Sequence, residues 1–245
     1  MKQLKTIVLA VMTTAFLGLG NNADAQISAD RLKHLSGKQH AIINISSLTA
    51  KGYLKNLETA LVDGLEAGLT VNEIKEVIVH LYAYCGFPRS LQGLRTFIKV
   101  LDDRKAKGIE AKLGKEATRI DDSRPKYERG KENLEILVKR KLDGPPADYA
   151  QFAPVIEVFL KEHLFADIFE RDVLDFRQRE LVTVSVLATI GGVEPMLRSH
   201  LNICMVQGIT PEQLEEFLSA LEKNVELAKI ESAKEVLKEL MKPND

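Results

Sequence analysis

The sequence predicts an all-α chain built from one helical unit used twice, and three observations carry that expectation. Shifting the sequence by 140 residues lays one half on the other without a gap: Gly52 on Gly192, Leu57 on Leu197, Leu61 on Leu201, Gly68 on Gly208, Thr70 on Thr210 and Glu76 on Glu216. Overlaying two unrelated helical stretches would match apolar positions but not both glycines and the threonine. Second, Gly68-Leu69-Thr70 and Gly208-Ile209-Thr210-Pro211 read as helix stop-start junctions. The glycine suits the left-handed position after a helix end, and the threonine caps the next helix. Third, Ile74, Val77, Ile78, Leu81 and Cys85 recur at three-four spacing, the mark of a helix with one buried face.

The elements follow in order. Residues 1–25 read as a secretory signal peptide: Lys2 and Lys5 open it, an apolar run from Ile7 to Leu19 follows, and Ala23-Asp24-Ala25 is a small-x-small cleavage site before Gln26. The run falls short of the ~20 residues a spanning helix needs. The expected address is the periplasm. The first repeat is expected over 26–108, a linker over 109–125 and the second repeat over 126–245. At both junctions the capping box is complete, with Glu73 after Thr70 and Gln213 after Thr210. Pro211 takes the first helical position, where its missing N–H costs nothing. Gly86 and Pro88 are expected to end the helix that begins after Thr70 and to turn the chain. Leu181–Ile190 is a continuous apolar run, and periodicity leaves it open between strand and helix. The charged stretch from Asp102 to Pro146 reads as a connection with one amphipathic helix around Tyr127 to Lys141, stopped by Pro145-Pro146. The Lys/Glu-rich tail from Glu222 to Lys242 reads as a solvated amphipathic helix.

Composition excludes several functions. The formal charge is −1, and losing residues 1–25 with Lys2, Lys5 and Asp24 takes it to −2. That balance argues against nucleic acid or an acidic membrane as partner. There is no Trp on which a sugar or base would stack. Cys85 and Cys204 are the only cysteines; they read equally as a disulfide or as two buried free thiols.

Residues 126 to 218 resemble the carboxymuconolactone decarboxylase family. The resemblance runs through Lys126-Tyr127-Glu128-Arg129-Gly130, Phe165-Ala166-Asp167-Ile168-Phe169 and Leu174-Asp175-Phe176-Arg177-Gln178-Arg179-Glu180-Leu181, then Gly191-Gly192, Leu197-Arg198-Ser199-His200 and Gly208-Ile209-Thr210. The family's closing Tyr-x-Gly-x-Pro is missing there, where Asn224, Glu226 and Ala228 stand. The first half keeps it, as Tyr84-Cys85-Gly86-Phe87-Pro88, but has Ala60 at the position of His200 and Gln39 at that of Arg179. The resemblance implies an all-α fold of two carboxymuconolactone decarboxylase/alkyl hydroperoxidase D-like domains, a buried helix over Leu181–Ile190, self-association into a homo-oligomer, and one site shared by both halves. It implies no cofactor.

Candidate site residues follow from chemistry and resemblance together. His200 stands at the family's histidine and suits general acid-base work near neutral pH; otherwise it is a helix histidine bonded to a neighbour. Glu76, His80 and Tyr84 line one helix face at four-residue spacing, as an acid-base strip or as a polar seam. Glu76 and His80 alone make a weak metal pair, and no metal is expected. Arg179 would fork a substrate carboxylate, with Glu162 beside it at the substrate, or would pair with Glu162 or Asp167. Cys204 lies one turn after His200. Some relatives use a Cys-x-x-Cys before that histidine; here Val193 to Ser199 contain no cysteine, which disfavours a thiol peroxidase using Cys85 and Cys204. The expected function is a decarboxylase or lyase acting on a small carboxylate or lactone. The competing reading is a non-catalytic helical ligand-binding or assembly protein, in which His200 and Tyr84 would lie apart.

Overall fold

The computed structural model describes residues 34–242, and these residues form helices and connections with no strand. The proposed signal segment lies outside the described residues. In chain order the helices are α1 (Gly37–Lys51), α2 (Leu54–Glu66), α3 (Val71–Ala106), α4 (Lys126–Val138), α5 (Asp148–Phe152), α6 (Pro154–Val158), α7 (Phe159–Ile168), α8 (Phe176–Ile190), α9 (Glu194–Val206), α10 (Pro211–Leu221) and α11 (Leu227–Leu240). None of the described helices is long and apolar enough to cross a membrane.

Caps and left-handed glycines set the helix ends. Thr70 and Thr210 each accept from the backbone N–H three residues on, while Glu73 and Gln213 return a bond to the cap. The glycines before them, Gly68 and Gly208, have φ of 90° and 87°, and Gly52 and Gly192 have 74° and 71°. Leu69 N–H donates to the Gly64 carbonyl and Ile209 N–H to that of Cys204, each at 2.9 Å. The order α1-α2-α3 is thus repeated at a 140-residue offset by α8-α9-α10, with equivalent turns.

The ambiguous run after Leu181 is helical. In α8 every residue from Arg179 to Thr189 is buried, because α1, α3, α9 and α11 pack around it. Its β-branched and hydroxyl residues are tolerated for a local reason. Thr183, Ser185 and Thr189 donate their hydroxyl protons to the carbonyls one turn back, at 3.1, 2.6 and 2.6 Å, so no hydroxyl in the helix is left to be desolvated unpaired.

The third helices reach across the halves: α3, besides packing on α1 and α2, also packs on α8, and α10 packs on α1. One core therefore runs through both halves, with Ile42, Ile45, Leu57, Leu61, Ile74, Ile78, Leu81, Val182, Val184, Val186, Leu201 and Phe217 all fully buried. A smaller cluster of Leu137, Leu164, Phe165, Ile168 and Phe169 ties α4 and α7 against Tyr82 and Tyr84 of α3.

Two expectations need correction, and one feature was not foreseen. Gly86 does break α3, with φ 81° and ψ 160°, but the helix resumes at once and runs on to Ala106. Pro88 sits in the first turn of the resumed segment, where no N–H is required of it. The C-terminal helix is more than a solvated face, since Ile230, Ala233 and Leu237 are buried. And α7 is wound as a π-helix, which periodicity did not anticipate.

Gly130 marks the tightest approach of backbone to a glycine among the described residues. A Cβ there would lie 1.8 Å from the Lys161 carbonyl oxygen on α7. Replacing Gly130 with Ala must push α4 off α7; the expected cost is about 3 kcal/mol, read as a lowered urea midpoint with unchanged slope.

Candidate active site

The crossing of α3 and α8 buries a charged cluster. Arg179, on the first turn of α8, is fully buried. Its Nη2 meets Glu76 Oε2 at 3.4 Å and also donates to the Arg171 carbonyl, and its Nη1 donates to His80 Nδ1 at 3.3 Å. Arg171, in the α7–α8 connection, forks the same carboxylate, with its Nε 3.0 and 3.1 Å from the two Glu76 oxygens. Phe169 lies with its ring centroid 5.8 Å from the Arg179 guanidinium carbon. The Arg179 guanidinium is pulled down to about 10 by burial, against the opposing pull of Glu76.

This arrangement corrects the expected role of Arg179. A guanidinium with no exposure and with partners already on its terminal nitrogens does not present a fork to a ligand. Its partner is neither Glu162 nor Asp167: Glu162 stands on the first turn of α7, and Asp167 pairs with Lys126 and His163. Glu76 and His80 are likewise committed inside the protein. His80 Nε2 donates to Thr183 Oγ1 at 2.9 Å, because the Thr183 proton goes to the Arg179 carbonyl. That leaves Nδ1 as the acceptor for Arg179, so the ring is neutral. Burial first, then the charges of Arg179 and His200, hold His80 well below the usual histidine range.

One turn beyond His80 the arrangement opens. Tyr84 stacks on His80 at 5.4 Å between ring centroids and meets His200 edge-on at 6.2 Å. His200, from α9, is the partly exposed member, with 18% of its side chain accessible. Its Nδ1 bonds Glu180 Oε2 at 2.8 Å, and Glu180 is fully buried on α8. Burial lowers the His200 pKa, but the charge and hydrogen bond of Glu180 outweigh it, so the net shift is upward. Tyr84 is pushed well above the ordinary phenol range by burial and by the Glu180 charge, with the Thr183 hydroxyl and Arg179 opposing. Two polar atoms beside His200 are buried without a hydrogen-bond partner: Tyr84 Oη and Glu180 Oε1. Buried orphans of this kind are rare and are satisfied by a ligand or ordered water.

The structure therefore brings Tyr84 of the first half to His200 of the second, and groups Glu76, His80 and Arg179 just beneath them. Glu180, Arg171 and Thr183 were not singled out from sequence. For Glu180 the one local sign is a carboxylate placed directly before the continuous apolar run of α8, and it does not say what the carboxylate faces. For Arg171, in a connection, there was none.

The cysteines are both free. Burial and the neighbouring Glu180 charge push the Cys204 thiol well up, and burial pushes Cys85 to about 11, with Arg89 opposing. Both are protonated at neutral pH, the opposite of what a peroxidatic thiol needs. Among the described residues no group of three or more His, Cys, Asp or Glu is arranged to hold a metal.

Two outcomes are expected. Glu76→Ala leaves the Arg179 charge buried without its carboxylate and costs about 3–5 kcal/mol, measured by chemical denaturation. For His200 the folded pKa is raised, so its pairing with Glu180 stabilises the fold fully below the unfolded value near 6.5. That contribution is lost as pH rises through the folded pKa. Glu180→Gln should lower the His200 pKa in an NMR titration and flatten this limb of the stability curve.

Comparison with known proteins finds similarity over the segment that carries the α8–α9 part of the site. Residues 157–239 match the model of the Carboxymuconolactone decarboxylase family. The chain is also similar to a 4-carboxymuconolactone decarboxylase of Acinetobacter baylyi, at 28% identity over 94 residues, which covers 38% of this chain and 69% of that protein. The matched segment includes Arg179, Glu180 and His200, while Glu76, His80 and Tyr84 reach the same site from outside it.

Proposed function

We propose that this protein is a cofactor-independent lyase that decarboxylates a small carboxylate or lactone by acid-base chemistry at His200. The observation that carries the reading is the Glu180–His200 pair at 2.8 Å facing an unpartnered Tyr84 hydroxyl. When a carboxylate leaves as carbon dioxide, the bonding pair stays on carbon and delocalises onto an adjacent carbonyl oxygen as an enolate. Two services are then required: a hydrogen bond to that oxygen and a proton for the carbon. Tyr84, whose raised pKa keeps its proton in place, donates to the oxygen. His200, protonated through its pairing with Glu180, delivers the proton from Nε2. The neutral imidazole then returns to the cation by taking a proton from water. Glu180 holds the ring and stabilises its charge. Glu76, Arg171, Arg179 and His80 act as positioning residues that fix Tyr84 against His200.

We read the two halves as diverged copies of one unit, the first retaining the tyrosine side of the site and the second the histidine side. The competing non-catalytic reading required Tyr84 and His200 to lie apart, or apolar side chains to fill the space between them. The ring contact at 6.2 Å favours the shared site. Export to the periplasm and self-association stay part of the proposal; N-terminal sequencing of the mature protein should begin at Gln26, and light scattering reads the oligomer.

The test is a thermal-shift screen of small carboxylates and lactones, followed by turnover of each compound that binds. His200→Ala should lower kcat by about 100-fold or more, and Tyr84→Phe by about 100-fold, both with the fold intact. The rate should fall as pH rises through the His200 pKa, since the proton donor is lost. Undiminished turnover of every accepted substrate by His200→Ala would sink the assignment.

A further inference from the structure

A second concave surface lies at the far end of α8, where its carboxyl end meets that of α1. It is a groove of about 350 Å³. Glu180 and Thr189 are nine residues apart, so along the helix axis it stands about 13 Å from the Glu180–His200 pair. Three cations line it, Lys51, Arg89 and Lys229, against one carboxylate, Glu226. The carboxylate is fully used: Lys51 Nζ reaches its Oε1 at 2.6 Å and Lys229 Nζ its Oε2 at 3.3 Å. Two positive charges are therefore uncompensated by side chains.

Arg89 and Lys229 are 140 residues apart and occupy equivalent places in the two halves, yet they are used differently. Lys229 Nζ donates to the Thr189 carbonyl at 3.0 Å and so closes the end of α8. Arg89 makes no such bond to the end of α1. Its guanidinium lies across Gly52, with Nη1 only 1.7 Å from where a Cβ would stand. It has no hydrogen-bond or ion-pair partner among the described residues. A planar fork with free donors, seated against a glycine that gives it room, is suited to two-point binding of a carboxylate. Between the cations the lining turns apolar, with Ala50, Ile190 and the Tyr53 ring. Inorganic phosphate would have no use for that surface; a carbon chain would.

We propose that this groove binds a short aliphatic dicarboxylate, one carboxylate on the Arg89 fork, the other beside Lys229, and the chain on Tyr53 and Ile190. The site is separate from the acid-base site and does not depend on what reaction is run there. Its test is calorimetric titration of the full chain with succinate, propionate and inorganic phosphate at constant ionic strength, repeated on Arg89→Gln, Lys229→Gln and His200→Ala. Succinate should bind the parent protein and His200→Ala equally, and each of the other two variants should bind it about tenfold more weakly. Propionate and phosphate should bind the parent at least about tenfold more weakly than succinate. The proposal is overturned if succinate does not bind, if Arg89→Gln binds it as well as the parent, if propionate or phosphate matches it, or if binding is lost in His200→Ala.

Discussion

The buried guanidinium of Arg179 is the constraint around which this structure is arranged. A charge withdrawn from water costs several kcal/mol, and that cost is offset only by a counter-charge and by hydrogen bonds of good geometry. The counter-charge comes from the other half of the chain, since Glu76 stands 103 residues away on α3. Glu76 in turn carries Arg171, and the Arg171 carbonyl accepts from Arg179. The ring of partners closes only if α3 lies across α8 in one register. Apolar packing alone tolerates exchange of similar side chains and small slides; a buried fork against a carboxylate does not. The position of Tyr84, two turns along α3 from Glu76, follows from that register.

The two histidines show what the register accomplishes. Both rings lie within reach of Tyr84, yet their environments drive them in opposite directions. His80, boxed in by Arg179 and Thr183, stays neutral, and its tautomer is dictated by the direction of the threonine's own bond. His200, facing Glu180, is held toward the cation. Pairs of titratable groups whose surroundings separate their protonation states are a recurrent basis for dividing acid and base roles. Here the separation is produced by one arginine beside one ring and one glutamate beside the other, from adjacent positions on α8.

What the sequence revealed, and what it hid, divides along local against long-range physics. The helix starts at Thr70 and Thr210, the turns at Gly68 and Gly208, and the shared face of Glu76, His80 and Tyr84 depend on neighbours within one turn, and spacing displays them. The kink at Gly86 was legible as a break but not as a continuation, because resuming the helix depends on what the second segment packs against. The partner of Arg179 was sought among nearby carboxylates, Glu162 and Asp167, when the fold supplies a distant one. Glu180 lies within the motif that carries the resemblance, but its importance lies in facing α9, which no local pattern states.

The positions 140 residues from the candidate site are occupied by different side chains. Glu216 stands where Glu76 does, but Gln39 replaces Arg179, Ala220 replaces His80 and Asn224 replaces Tyr84. Glu216 bonds His40 at 2.8 Å and His34 at 3.3 Å, both with water access. Asn224 spends its amide on Asn44 at 2.9 Å. Without a buried arginine there is no desolvation cost to offset and no strict register to hold, and ordinary polar pairs replace the charged crossing. On α1 the buried atoms without a hydrogen-bond partner are the hydroxyls of Ser46 and Thr49. A buried tyrosine hydroxyl and a buried carboxylate oxygen left without partners are costly to keep. On the Tyr84–His200 side the rigid crossing beneath them prevents their collapse, and a ligand can satisfy them.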